Sequence, residues 1–262
     1  MPNATTKRAL KSIAGLAAAA ALASGCASQM ELEAIGAQQF EQIRETSALV
    51  KDRATIDYVA CVANAIVDTL EGPDADMYWE LAVVDNPTIN AFVLPGGKIV
   101  VFSGILTVAE NQHQLAAVMG HEVAHVTADH PKERMARQEV TNFGADTIGL
   151  ILGGGYMRQT SAAMNSMRTI AQLGVLNPFS RGQETEADLI GLEYMAKAGF
   201  DPRESVELWK RMGEKNKTNI PEYMSTHPSG ETRINELIGH YPTALVYYNE
   251  AKEEGKAPNC QP

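Results

Sequence analysis

The run Val118-Met119-Gly120-His121-Glu122-Val123-Ala124-His125-Val126 constrains this chain more than any other feature. On an α-helix, residues four apart share a face with Cβ atoms about 5–6 Å apart. The imidazoles of His121 and His125 therefore point at one spot, where two nitrogens can reach a single zinc ion at ~2.0–2.1 Å. Glu122 follows His121 by about 100° of rotation, which sets its carboxylate beside an open coordination position and suits it to work as a general base. The bare pattern also arises by accident, so its surroundings matter. Its flanks are uncharged, and Asn111 and Gln114 fit the N-cap and N3 positions of a helix continuing to about Ala128. The alternative is a core helix with two hydrogen-bonded histidines.

A catalytic zinc needs a third protein ligand and a fourth position for water. An extended motif with Gly at 128 and His at 131 would supply it locally, but those positions hold Ala128 and Pro131. His130 lies just past the helix and is read as a structural or supporting residue. The better candidate is in Asn177-Pro178-Phe179-Ser180-Arg181-Gly182-Gln183-Glu184-Thr185-Glu186-Ala187-Asp188. Glu184 and Asp188 share a helical face, so Glu184 can ligate while Asp188 reaches the outer nitrogen of a ligating imidazole and fixes its tautomer. Glu186 points about 200° away and is expected to be solvated. By charge pattern alone, an exposed acidic face accounts for the three acids equally well.

The rest of the chain predicts an α+β, predominantly helical fold with a small, mainly antiparallel sheet. Apolar residues recur at helical spacing from Met30 to Lys51 and from Ile56 to Leu70. Tyr78 to Asp85, Ala91 to Leu94 and Lys98 to Phe102 read as short strands, the last two forming a hairpin about Pro95-Gly96-Gly97. Asp201-Pro202-Arg203-Glu204 supplies cap, N1 proline and N3 glutamate for a later helix, and Gly199 ends the one before it. Residues 141–182, rich in Met, Ser, Gly and Ala, read as a lid-like segment. With 45% hydrophobic residues the chain is not disordered, and a net charge of −10 without a basic run past the first dozen residues excludes nucleic acid as a partner class.

Residues 1–25 read as an export signal: Lys7, Arg8 and Lys11 precede the apolar run Ile13 to Ala23. Leu22-Ala23-Ser24-Gly25-Cys26 resembles the bacterial lipobox, in which the cysteine is acylated and becomes the first mature residue. Ala23 stands where Leu is commoner, and ordinary signal cleavage is the alternative. The residues after Cys26, Ala27 and Ser28, resemble those of lipoproteins sent to the outer membrane. Removing the signal would shift the net charge from −10 to −13, because it carries three positive and no negative charges. Cys61 and Cys260 are then left as a pair in an oxidising compartment, where a disulfide is plausible. The expected organisation is an anchor and helix over 26–52, a catalytic domain over 53–245 and a tail over 246–262.

His121-Glu122-x-x-His125, Phe179-Ser180-Arg181, Glu184-x-x-x-Asp188 and Thr226-His227-Pro228-x-x-x-x-Arg233-Ile234 together resemble the Ste/HtpX-type zinc metalloproteases, metallopeptidase family 48, across about residues 55 to 240. The lipoprotein signal is most similar to the LoiP/BepA/Oma-like branch. The resemblance implies a zincin (gluzincin-like) fold holding one zinc ion on His121, His125 and Glu184, with Glu122 as general base and Asp188 as supporting acid. It gives His227 a place near the zinc, either steadying the transition state or acting as a removable ligand that keeps the enzyme latent. Arg233 could serve the oxyanion or orient its neighbours through an ion pair. It further implies a periplasmic, lipid-anchored endopeptidase acting on unfolded or misassembled envelope proteins, with Asn90 to Leu94 as the strand along which substrate lies. A non-enzymatic envelope lipoprotein, a chaperone or assembly scaffold, is the competing expectation.

Overall fold

The computed structural model describes residues 29–133, 179–216, 223, 226–227 and 231–262. The signal segment with Cys26, and residues 141–178 of the expected lid, lie outside the described residues. Within the last four residues of that span, Phe179 precedes, and Ser180 caps, a helix that contains Arg181 and Gly182.

Helix α1 (residues 29–46) is amphipathic and lays Phe40 and Ile43 on one face of a three-stranded sheet, against Ala82, Val84, Phe92, Leu94, Val100 and Phe102. It thus shares a core with the sheet. It is also shorter than the apolar spacing suggests, because Leu49 and Val50 leave the helix. Leu49 bridges Val84, and the Val50 amide donates to the Val83 carbonyl at 2.9 Å. Sheet pairing has overridden a local helical pattern there. Helix α2 (Arg53–Val67) begins three residues before the first apolar position, since Asp52 caps it by accepting from the Thr55 amide.

The sheet comprises β1 (Glu80–Val84), β2 (Ala91–Leu94) and β3 (Lys98–Phe102) in the order β1-β3-β2. β2 and β3 form the expected antiparallel hairpin, whose turn holds Gly96 and Gly97 at φ of 80° and 74°, a region open mainly to glycine. β1 enters parallel to β3, from Glu80 opposite Lys98 to Val84 opposite Phe102. Period-two alternation gives the second face Val83, Ala91, Val93, Ile99 and Val101, which join the core formed with α2 and α3.

Helix α3 (Gln112–Thr127) runs through the middle, buried on every side from Gln114 to His125. Asn111 caps it by accepting from the His113 and Gln114 amides. Helices α4 (Arg181–Lys197) and α5 (Glu204–Asn216) pack against it, and α6 (Glu231–Glu253) packs on those two. α4 ends before Gly199, which takes φ of 86°. The regular turns of α5 begin at Glu204, after Asp201 accepts from the amide of Arg203 as an N-cap does and also from its guanidinium, and Glu204 accepts from Asn111 and Gln114 at the start of α3. α6 continues to Glu253, into the span 246–262 expected as the tail. Cys260 of that tail is disulfide-bonded to Cys61 of α2, with Cα atoms 5.7 Å apart. No helix among the described residues is long and apolar enough to cross a membrane.

Candidate metal centre

α3 and α4 supply the first three groups of the site, and their spacing depends on two glycines. A Cβ on Gly191 would lie 2.6 Å from the carbonyl carbon of Gly120 and from the His121 amide nitrogen. One on Gly120 would lie 2.5 Å from the Gly191 carbonyl oxygen. Only hydrogen fits at either position, so the backbones touch there. A capping box at the start of α4, Ser180 with Gln183, sets the helical phase that turns Glu184 and Asp188 toward α3.

Four ligating atoms meet where these helices and the segment carrying His227 converge. His121 Nε2 is 3.1 Å from His125 Nε2 and 3.2 Å from His227 Nδ1. Glu184 Oε1 is 3.1 Å from His227 Nδ1 and 3.5 Å from His125 Nε2, and its Oε2 is 3.7 Å from His121 Nε2. All four atoms lie within 4.8 Å of one another and all four residues are buried. Bonds of ~2.0–2.1 Å to one tetrahedral ion would put its ligands about 3.3–3.4 Å apart, which these separations match. The donor set, three imidazoles and a carboxylate, suits zinc.

The groups behind the ligands show which way their protons point. Asp188 Oδ1 is 3.0 Å from His121 Nδ1. Arg233 grips the same carboxylate twice, Nε to Oδ2 at 2.6 Å and Nη2 to Oδ1 at 2.7 Å, and its Nη1 reaches Glu184 Oε2 at 2.7 Å. Burial raises the pKa of Asp188, but the hydrogen bonds from Arg233 and His121 outweigh it and hold the group below its ordinary value. Glu184 is likewise opposed by burial, and the close imidazoles of His125, His227 and His121 bring it well below the usual carboxylate range. Asp188 is therefore an acceptor, His121 Nδ1 carries a proton, and the lone pair of Nε2 faces the other ligands. Burial drives the His125 pKa well below its ordinary value, so this ring is neutral. An electron-rich cluster of this kind asks for a cation.

Sequence reasoning placed His121, His125, Glu184, Asp188, His227 and Arg233, and the structure brings all six together. Glu122, buried beside them, has Oε1 at 3.5 Å from His227 Nε2. Arg233 is engaged by two carboxylates, which fits the orienting role rather than the oxyanion one. His227 stands at ligand distance. Three aromatic residues close the site, of which only Phe179 stood in a motif quoted for the family resemblance. Phe179 stacks on His125 with centroids 3.8 Å apart, and Trp209 meets His121 edge-on at 5.7 Å and lies under the Arg233 guanidinium at 4.3 Å. Tyr223 stacks on His227 at 4.6 Å. Its phenol is pushed well above its ordinary pKa, by burial first and then by the neighbouring Glu122 carboxylate. No spacing rule marks Trp209 and Tyr223, because they come from separate segments.

A helix-borne His-Glu-x-x-His completed by a carboxylate from a second helix defines a zincin-type metallopeptidase domain. The chain belongs to Peptidase family M48, whose family model matches residues 54–240. It is 40% identical over 174 residues to the mitochondrial metalloendopeptidase OMA1 of Schizosaccharomyces pombe, covering 66% of this chain and 49% of that one. It is 36% identical over 173 residues to the OMA1 metalloendopeptidase of Homo sapiens, covering 64% of this chain and 33% of that one. A beta-barrel assembly-enhancing protease of Yersinia pestis is 28% identical over 210 residues, 78% of this chain and 42% of its own length. The chain thus spans about half or less of each of these relatives.

Proposed function

We propose that this chain is a zinc-dependent endopeptidase of the bacterial cell envelope, tethered through an acylated Cys26 and acting on unfolded or misassembled envelope proteins. The observation that carries the enzymatic part is the meeting of His121, His125 and Glu184 at tetrahedral spacing beside the buried Glu122. The envelope assignment is supported by the lipobox-like Leu22 to Cys26 and by the likeness to a protease named for beta-barrel assembly. Other relatives carry mitochondrial names, so the envelope reading rests on the Cys26 segment.

A zinc ion held by this donor set would polarise a peptide carbonyl and acidify water. Glu122 then takes the proton from the attacking water and returns it to the leaving amine, a contribution of about 10²–10⁴-fold. Asp188 keeps the His121 proton on Nδ1, while Arg233 holds Asp188 and Glu184 in place. His227 Nδ1 occupies the remaining corner of the cluster, so this arrangement corresponds to a resting state from which His227 withdraws to admit substrate. Among the described residues β2 is an edge strand, packed beside α3. The Tyr223 amide donates to the carbonyl of Ile89, close to the start of β2, at 3.2 Å. An extended peptide adding to β2 would pass this segment, recognised by its main chain rather than by its sequence.

The test is Glu122→Gln in the purified protein: zinc content and melting temperature stay at parental values, and cleavage of unfolded casein falls by about 10²–10⁴-fold. Parental cleavage by the variant would refute the enzymatic reading. Loss of acylation in Cys26→Ser, with release from envelope membranes, tests the tether.

A further inference from the structure

His121 and His125 present their Nε2 atoms to the cluster and their Nδ1 atoms outward, but they rest on different supports. Behind His121 is a carboxylate. Behind His125 is another imidazole: His125 Nδ1 lies 2.8 Å from Nδ1 of His130. On its far side, His130 Nε2 lies 3.3 Å from Glu186 Oε2. His130 is buried, 1% exposed, whereas the Glu186 side chain is 58% exposed, so the chain of contacts leads from the metal ligand to the surface. Phe179, stacked flat on His125 and 6.1 Å from His130, covers one side of it.

Two facing nitrogens 2.8 Å apart share one proton, and only one arrangement leaves His125 able to bind a metal. His125 must keep its proton on Nδ1 so that the Nε2 lone pair is free. His130 must then offer a bare Nδ1, which places its own proton on Nε2, facing Glu186. The exposed carboxylate accepts that proton's hydrogen bond and so selects the tautomer of both rings. Phase makes this possible: Glu184 and Glu186 differ by about 200° on α4, so one carboxylate enters the cluster while the other approaches His130 from outside it. The positive φ of Asp129, 56°, breaks the end of α3 and lets His130 fold back beneath His125.

We infer that His130 and Glu186 are positioning residues that act through His125, fixing the tautomer in which its Nε2 can hold the metal. The inference rests on the metal reading above. Partners of this kind behind ligating histidines typically change metal affinity by about 10–100-fold.

The experiment measures zinc affinity by competition with a chromophoric chelator, in the purified full chain and in His130→Phe, His130→Asn and Glu186→Ala. Phe keeps a ring but offers no acceptor, and zinc should bind roughly 10–100-fold more weakly. Asn places a carbonyl oxygen near the site of the lost Nδ1, and should recover at least half of that loss on a logarithmic scale. Glu186→Ala removes an exposed group and should weaken zinc by roughly three- to tenfold without lowering the melting temperature of the metal-free protein. In the zinc-loaded parent, nitrogen-15 shifts should report His130 protonated at Nε2 and bare at Nδ1.

Parental affinity in Glu186→Ala, recovery absent in His130→Asn, or a proton on His130 Nδ1 overturns the inference while leaving the metal reading intact. If His130→Phe does not fold, Glu186→Ala and the nitrogen shifts decide alone. A parent that takes up no zinc overturns the metal reading and this inference with it.

Discussion

Replacing Gly191 by Ala tests whether the contact between α3 and α4 is what sets the geometry of the site. The new Cβ would stand 2.6 Å from two backbone atoms, the Gly120 carbonyl carbon and the His121 nitrogen, and neither can rotate away. Ordinary carbon contacts need about 3.5–4.0 Å, so the helices must part by roughly 1 Å. Overpacking of this kind costs about 1–3 kcal/mol, and a rigid backbone contact belongs at the upper end. The gain in helix propensity from Gly to Ala offsets about 1 kcal/mol, which leaves a net loss near 2 kcal/mol. For a chain of this size that lowers the melting temperature by roughly 4–8 °C.

The effect on metal should be larger than the effect on folding. Ligand distances are tolerated within about 0.2 Å, and a 1 Å shift carries Glu184 away from the histidine pair by several times that amount. Zinc titration against a chelator should therefore show a fall of well over tenfold, alongside the calorimetric shift. Gly239→Ala in α6 is the control, because a Cβ there meets nothing within 4 Å. It should stabilise by about 0.4–1 kcal/mol with zinc affinity unchanged. If Gly191→Ala melts and binds zinc like the parent, the close crossing is not what positions Glu184.

Asp188→Ala leaves the buried Arg233 without its two-point partner, and a broken buried pair costs about 3–5 kcal/mol. The same variant should weaken zinc by roughly 10–100-fold, since His121 loses the acceptor behind it, and unchanged chelator competition would count against that support. Substituting both Cys61 and Cys260 by Ser should lower stability by about 2–4 kcal/mol, because the bridge closes a loop with a sequence separation of 199. Chemical denaturation with and without reductant measures it. Burial lowers the His121 pKa, but the Asp188 hydrogen bond and the charges of Asp188 and Glu184 outweigh this and raise it overall. In the metal-free protein the resulting stability is full below the ordinary value near ~6.5 and is lost as the pH rises through the raised pKa. Zinc shows the opposite dependence: its affinity should rise about tenfold per pH unit up to that pKa and then level off. Parallel melting and zinc titrations across pH 5 to 9 should show the two curves running in opposite directions.

What could be seen in the sequence follows from the range of each interaction. His121 with His125, and Glu184 with Asp188, are pairs set one helical turn apart, so a backbone rule places each pair on one face. The Asn111 cap and the β2–β3 hairpin are equally local. The joining of the two pairs was supplied by family resemblance, because no spacing rule links positions some sixty residues apart. Leu49 and Val50 fit a helical pattern, yet they pair with β1, since sheet hydrogen bonds reward a conformation that local spacing does not encode. Asp201 looked like a helix cap, and its carboxylate does accept from the Arg203 amide two residues on, while also taking the Arg203 guanidinium. Gly120 and Gly191 gave no signal, because a residue without a side chain shows its purpose only when its neighbour is known. The support behind His125 was half visible: His130 stood out, while Glu186 looked merely solvated.

Arg233 holds Asp188 with two nitrogens and Glu184 with a third, so a single cation disciplines both a ligand and the prop behind another ligand. These three positions cannot drift one at a time. Exchange of the guanidinium for an amine would leave one of the two acids unclaimed, and no compensating change at either acid could satisfy the other. A lineage abandoning this metal would be expected to lose all three together, and one retaining it to keep all three unaltered.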